Sequence, residues 1–241
     1  MQEKFQKIKE KFIEAKVVVV LTGAGISAES GVPTFRDAMS GLWEKFNPQE
    51  LATPQAFRRN PELVWKWYKY RRDLIQKVKP NPGHYAIATL EKLSKDFLLV
   101  TQNVDGLHKE AGNKKLVEIH GNITRYRCFN NCIFMDNPKS ELPIRCEKCG
   151  DWIRPDVVWF GENLPEDALD KSFKYINNCN IFFSIGTSGV VQPAASFPLM
   201  AKEKGAFLVE INLEPTLISA YTDISIYGKS GVILSELIKQ L

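Results

Sequence analysis

The chain has 241 residues, 44% hydrophobic and 25% charged, enough for one large domain with a small appended unit and a core that needs no disulfide staples. Its net charge of +4 comes from 32 basic and 28 acidic residues; such a mixed surface is compatible with basic protein tails or nucleic acid as partners but requires neither. No apolar run reaches the roughly 18 residues of a membrane span, and the N-terminus lacks a signal-peptide pattern, so a cytoplasmic protein without a membrane partner is expected.

Met1 to Ala15 carries Phe5, Ile8 and Phe12 on one stripe, the spacing of an amphipathic helix. Val17 to Leu21 is a β-branched run, predicting a strand buried on both faces. It opens into Thr22-Gly23-Ala24-Gly25-Ile26-Ser27, and strand, Gly-x-Gly and helix together make a phosphate-cradling arrangement. Ala28 stands where a full G-x-G-x-x-G would have its third glycine, and on its own the loop also fits a hydride-transferring NAD-dependent oxidoreductase. Residues Pro48 to Lys79 have helical spacing, many aromatics and proline-marked ends, predicting a helical insertion. A helix over Tyr85 to Leu93 and strands over Phe97–Thr101, Ile181–Ile185 and Phe207–Ile211 complete the rhythm. Strands alternating with helices predict an α/β fold: a Rossmann-like parallel sheet with helices on both faces. The expected division is a discontinuous large domain (1–47, 80–124 and 155–241), the helical insertion (48–79) and a small zinc-binding module (125–154), with the ligand cleft between them.

Of five cysteines, four fall in that module as Cys128, Cys132, Cys146 and Cys149. Two close pairs suit a tetrahedral thiolate site for one zinc ion, and four thiolates leave no open coordination position, so the zinc is expected to be structural. Cys179 stands alone before an apolar strand and is expected simply to pack. The module's Lys139, Arg145 and Lys148 are offset by Asp136, Glu141, Glu147 and Asp151, which argues against a nucleic-acid-binding ribbon. There are only three histidines, His84, His108 and His120. A base working near neutral pH is most simply one of them. His84 lies at the expected start of a helix and His108 is expected to buttress a loop. Asn103 and Asp105 lie just past a strand end, where ligands of open α/β sheets collect; an Asx turn is the structural alternative.

Six segments occur in order: GAGISAESGVPTFRD (Gly23 to Asp37), TQNVDGLH (Thr101 to His108), HGN (His120 to Asn122), VVWFGE (Val157 to Glu162), GTS (Gly186 to Ser188) and INLEP (Ile211 to Pro215). With the paired cysteines after HGN they resemble the sirtuin family over roughly residues 4 to 240. The resemblance implies a lysine deacylase that consumes NAD and yields nicotinamide and O-acyl-ADP-ribose. His120 would be the general base, with Asn103 orienting the ribose or a water and Asp105 accepting from the carboxamide. Gly23, Ala24, Gly25, Ser27 and Gln102 would line the cofactor site, beneath a loop bearing Phe35, Arg36 and Asp37. Gly186, Thr187, Ser188, Asn212, Leu213, Glu214 and Ser230 would complete it toward the adenosine. Val158, Trp159, Phe160 and Gly161 would meet the acylated lysine of a protein or peptide substrate as an added strand.

Tyr68 and Arg71 are three residues apart and share a helical face, where a phenol and a guanidinium can clamp a carboxylate. With the small Ala52 they match the sirtuin class that accepts malonyl- and succinyl-lysine, so dicarboxylyl removal is expected beside deacetylation. A packed aromatic helix with solvated cations is the alternative. Mono-ADP-ribosyl transfer is a variant within the family, and a zinc-containing nucleic-acid-binding protein is the rival outside it. Any contact with nucleic acid is expected through basic chromatin proteins, and a monomer is expected.

Overall fold

The computed structural model describes residues 1–33, 51–135 and 143–241. Strands β1 (Val17–Thr22), β2 (Asp96–Thr101), β3 (Leu116–Glu118), β7 (Ile181–Ile185), β8 (Phe207–Asn212) and β9 (Ile224–Tyr227) form one parallel sheet. Its order is β3-β2-β1-β7-β8-β9. The chain works outward from β1 to β3, then returns to β7 on the other side of β1. That reversal leaves a crevice at the carboxyl ends of β1 and β7, the place where open α/β sheets take their ligands.

The alternation along β1 shows why the sheet is covered on both faces. Val18 and Val20 pack with Phe5, Ile8 and Phe12 of α1 (Gln2–Glu14), Ile87 and Leu90 of α5 (Pro82–Leu93) and Leu234 of α9 (Ser230–Ile238). Val19 and Leu21 pack on the opposite side with Ile176 of α7 (Glu166–Ile176) and with Phe197 and Ala201 of α8 (Phe197–Glu203). Each such side chain taken from water contributes about 1.5–3 kcal/mol. The four central strands match the runs expected from sequence to within a residue, whereas β3 and β9 lie outside those runs. They are edge strands of three and four residues, too short to carry a periodic signal.

The stretch expected to be a helical insertion supplies α3 (Pro54–Arg59) and α4 (Pro61–Ile75). Their starts share a local chemistry with α5: a polar cap followed by proline. Thr53 accepts from Ala56 N, Asn60 from Leu63 N and Asn81 from Gly83 N, while the proline occupies a position whose N–H would go unpaired. A second sheet is antiparallel, with β4 (Gly121–Cys128) between β5 (Phe134–Met135) and β6 (Ile153–Val157). The insertion and this small sheet share one core: Phe57, Trp65, Trp67 and Tyr68 from the helices meet Ile123, Tyr126, Ile153 and Trp159.

Candidate active site

The ends of β1, β2, β7 and β8 bring most of the expected cofactor residues to the crevice. Gly25 N donates to Gly186 O at 2.8 Å, and a Cβ on Gly25 would lie 2.8 Å from the Gly186 backbone. The glycines therefore admit the turn after β7 against the turn after β1; the expectation that they clear space for pyrophosphate is a separate demand on the same residues. Gln102 Nε2 donates to Thr187 Oγ1 at 3.0 Å, and Asn212 Nδ2 reaches Thr187 O at 3.4 Å. Ser188, Leu213 and Glu214 are exposed at the rim, and Ser230 is buried at the start of α9. The helix following Ala24 is a single turn, α2 (Gly25–Ala28), too short to sum a sizeable dipole, and its first N–H groups are engaged within the chain: Gly25 N with Gly186 O, Ile26 N with Gly23 O and Ser27 N with Ala24 O. Phe35, Arg36 and Asp37 lie outside the described residues.

Beneath the glycine turn lies a buried polar cluster. Asn103 Nδ2 donates to Gly23 O at 3.0 Å and to Ser27 Oγ at 3.1 Å, and Ser27 donates to Asp105 Oδ2 at 2.7 Å. Asp105 Oδ1 accepts from Leu107 N at 2.9 Å, so the Asx turn is present and one carboxylate serves both loop and cluster. Burial raises the Asp105 pKa, offset by the Leu107 N–H and the Ser27 hydroxyl. His84 Nδ1 accepts from Asn81 N at 3.2 Å, completing the cap of α5. Its proton is therefore on Nε2, which faces Ser27 Oγ at 3.3 Å, and burial lowers its pKa to about 4. His108 packs its ring 4.8 Å from His84 and meets Thr22 Oγ1 at 3.0 Å.

His120 stands at the edge of this cluster. Its Nδ1 is 3.0 Å from Gln102 O. A carbonyl only accepts, so Nδ1 carries the hydrogen and Nε2 keeps the basic lone pair. Burial lowers the His120 pKa and the Gln102 carbonyl partly restores it, leaving the ring neutral at pH 7 as a base must be. The His120 carbonyl accepts from Val158 N at 2.9 Å, joining the histidine directly to the VVWFGE segment. The next residue, Gly121, has φ +79°, and a Cβ there would fall 2.1 Å from Asp156 O. Glu118 braces the turn from outside, accepting from Asn122 Nδ2 and from Arg125, each at 2.6 Å.

Ala52, Tyr68, Arg71 and Trp159 gather on the far side of that segment. Phe160 N donates to Ala52 O at 2.9 Å, and Trp159 Nε1 donates to Tyr68 Oη at 2.8 Å. Tyr68 is wholly buried, which raises its phenol pKa, while Arg71 works against that. The Arg71 guanidinium is 5.5 Å from the Tyr68 ring and 4.9 Å from the Trp67 ring. Burial lowers its pKa, with the charge and a hydrogen bond of Tyr68 opposing. Past Val157 the backbone turns, with Glu162 N donating to Trp159 O at 3.0 Å; Phe160 and Gly161 are exposed and Trp159 is not. Sequence reasoning missed Arg154, which is 1% exposed yet charged. It stacks 3.4 Å from the Trp159 ring centroid and donates to Glu162 Oε2 at 2.9 Å and Val157 O at 2.8 Å. The one available signal was a charged arginine between the apolar Ile153 and Pro155.

The sulfurs of Cys128, Cys132, Cys146 and Cys149 lie within 4.8 Å of one another. Four sulfurs bound at Zn–S distance around one ion would be about 3.8 Å apart, so the cluster fits a tetrahedral site after small adjustments. The thiols titrate unequally: the Asp151 N–H, first among several donors, draws Cys149 down to about 7, whereas Cys149 pushes Cys132 up to about 12 and burial raises Cys128 despite Asn130 N at 3.4 Å from its sulfur. Asn131, at φ 57°, lies between Cys128 and Cys132, a pair separated by one residue more than Cys146 and Cys149. Cys179 is buried and its thiol is pushed up to about 12 by burial, consistent with simple packing. Among the described residues, no helix is long and apolar enough to cross a membrane.

Comparison with known proteins follows the same outline. The model of the Sir2 family matches residues 23–193. NAD-dependent protein deacylase 2 of Pyrobaculum aerophilum is 51% identical over 225 residues, covering 92% of this chain and 90% of that one. The NAD-dependent protein deacylase of Aquifex aeolicus is 51% identical over 222 residues, covering 91% and 92%. Among solved structures, a Sir2 homologue in complex with NAD superposes with a TM-score of 0.91 at 43% identity, covering 98% of this chain and 93% of that one. A Sir2 protein bound to acetylated peptide gives 0.87 at 30% identity, covering 98% of both.

Proposed function

The chain belongs to the Sir2 family, and on that premise we propose that it is an NAD-dependent protein-lysine deacylase acting on acetyl-lysine and on malonyl- and succinyl-lysine. The observation that carries the chemistry is His120: a neutral imidazole whose basic Nε2 is set by the Gln102 carbonyl, just past the carboxyl end of β2. When bound, NAD supplies an electrophilic ribose carbon with nicotinamide as leaving group. Gly23, Ala24, Gly25, Gln102 and the Gly186–Ser188 turn would hold its phosphates and ribose, with Asn212, Leu213, Glu214 and Ser230 toward the adenosine. Asn103 would orient the ribose or a water. Asp105, with two oxygens and lone pairs to spare beyond Ser27 and Leu107, would accept from the carboxamide. His120 Nε2 would take a proton from a ribose hydroxyl; with one water consumed, the acyl group would pass to ADP-ribose as O-acyl-ADP-ribose, releasing the free lysine amine and nicotinamide.

The VVWFGE segment would place the acyl-lysine beside His120. Its Val158, Trp159 and Phe160 N–H groups are engaged within the chain, so an added strand would pair through the segment's carbonyl groups. Tyr68, buried and bonded to Trp159, and the half-buried Arg71 beside it on the same face of α4 support the dicarboxylyl reading. The four cysteines would hold one structural zinc. The division into a discontinuous large domain, helical insertion and zinc module, a monomeric state and a cytoplasmic location belong to the same proposal.

The test incubates the protein with NAD and matched acetyl-, malonyl- and succinyl-lysine peptides while nicotinamide and peptide mass are followed. One nicotinamide per acyl group lost supports the deacylase. NAD consumption with unchanged peptides but label on protein would replace it with ADP-ribosyl transfer. Loss of acetyl alone would remove the dicarboxylyl reading.

A further inference from the structure

We infer that Trp159 is a specificity-determining positioning residue: its indole N–H fixes the Tyr68 hydroxyl as a hydrogen-bond donor for the carboxylate of a dicarboxylyl-lysine. This deepens the proposed function and rests on its Tyr68–Arg71 reading. An indole Nε1–H donates and never accepts, so at 2.8 Å the Tyr68 oxygen must be the acceptor. The guanidinium of Arg71 likewise has only donors, and it interacts with the same phenol. With the indole N–H on its oxygen and the Arg71 cation 5.5 Å from its ring, the hydroxyl is left to offer its hydrogen. The ligand complementary to that hydrogen and to the Arg71 cation is an anion with acceptor oxygens, as at the end of a succinyl group; an acetyl methyl makes use of neither.

The indole is held so that it cannot easily turn away. Arg154 covers one face at 3.4 Å, and the Phe57 and Phe129 rings lie at 5.2 Å and 6.3 Å. Trp159 N donates to Glu162 Oε2 at 2.8 Å, the same carboxylate that receives Arg154. Rotating the indole would uncover a buried guanidinium and break a bond at Tyr68 together. The donor is therefore aimed by packing and hydrogen bonds within the chain, from Arg154, Glu162, Phe57 and Phe129.

The experiment compares kcat and KM for acetyl- and succinyl-lysine peptides in the wild-type protein, Trp159→Phe, Tyr68→Phe, Arg71→Met and the Trp159→Phe/Tyr68→Phe double variant. Trp159→Phe keeps an aromatic ring and removes the donor. The ratio of succinyl to acetyl kcat/KM should fall about tenfold, chiefly through KM for the succinyl peptide, equivalent to about 1.4 kcal/mol. Adding Trp159→Phe to Tyr68→Phe should lower the ratio no further, because the tryptophan acts through that hydroxyl. A fall in Arg71→Met with an unchanged ratio in Trp159→Phe overturns the role of Trp159 and leaves the clamp standing. Equal losses on both peptides in Trp159→Phe reduce it to packing. If the wild type does not turn over succinyl-lysine, clamp and inference fall together. Should Trp159→Phe not fold, Tyr68→Phe decides: an unchanged ratio there refutes the donor hydroxyl.

Discussion

Replacing Gly121 by alanine tests how closely the catalytic turn is tied to the substrate segment. The residue has φ +79°, and a methyl group there would sit 2.1 Å from Asp156 O, an atom of the β6 backbone. The left-handed conformation alone costs a side chain about 1–2 kcal/mol. A contact that short cannot be relieved by rotating anything, so β6 must move away. The movement would strain the Gly121–Val157 pairing and the Val158 N–His120 O bond, each such bond being worth about 0.5–1.5 kcal/mol. The sum is about 2–5 kcal/mol, which for a chain of this size lowers Tm by roughly 4–20 °C. Gly112→Ala is the matched control: φ +104° with nothing within 4 Å of the added methyl, hence only the conformational cost. Calorimetry on both variants reads stability, and nicotinamide release reads the site. Gly121→Ala should melt well below Gly112→Ala and lose most turnover. Equal melting temperatures with activity retained would refute the reasoning.

His120→Ala should abolish deacylation while the protein still folds and binds NAD, as followed by circular dichroism and calorimetric titration; full activity would remove His120 from the mechanism. Burial lowers the His120 pKa, and the neutral ring is the active form. kcat/KM should therefore fall as pH drops through a midpoint below 6.5 and stay level from there to neutrality; a midpoint above 6.5 would contradict the geometry. Cys146→Ser should lower zinc content and thermal stability together, and unchanged zinc by metal analysis would refute the ligand set.

The parts of this molecule visible in its sequence are those whose cause is local. Val17 to Leu21 announces a central strand because both its faces are buried, and the two cysteine pairs announce a metal site because short spacers bring sulfurs together. Tyr68 and Arg71 are legible as neighbours because a helix repeats every 3.6 residues. The partners of Tyr68 are another matter. Trp159 lies 91 residues away, and nothing in either stretch says that the indole N–H and the phenol meet. The Arg154–Glu162 pair is hidden for a similar reason: an eight-residue separation across a turn has no fixed geometry until Trp159 is packed between them and the aromatic helices. Gly25 shows a subtler gap. Its small size was legible, but its nearest neighbour, the Gly186 backbone, became known only with the order of the sheet.

The antiparallel pair β4 and β6 also limits how this protein can change length. β4 begins beside His120 and ends at Cys128; β6 begins just after the second cysteine pair and runs into Val158. Because strand side chains alternate, deleting one residue inside β4 would turn Cys128 toward the wrong face. The ribbon thus has a parity, and its length can vary by twos but not by ones. The exception is the irregular stretch between Asn122 and Tyr126, where the register already shifts; single insertions that spare both ends should be tolerated there and nowhere else along the strand.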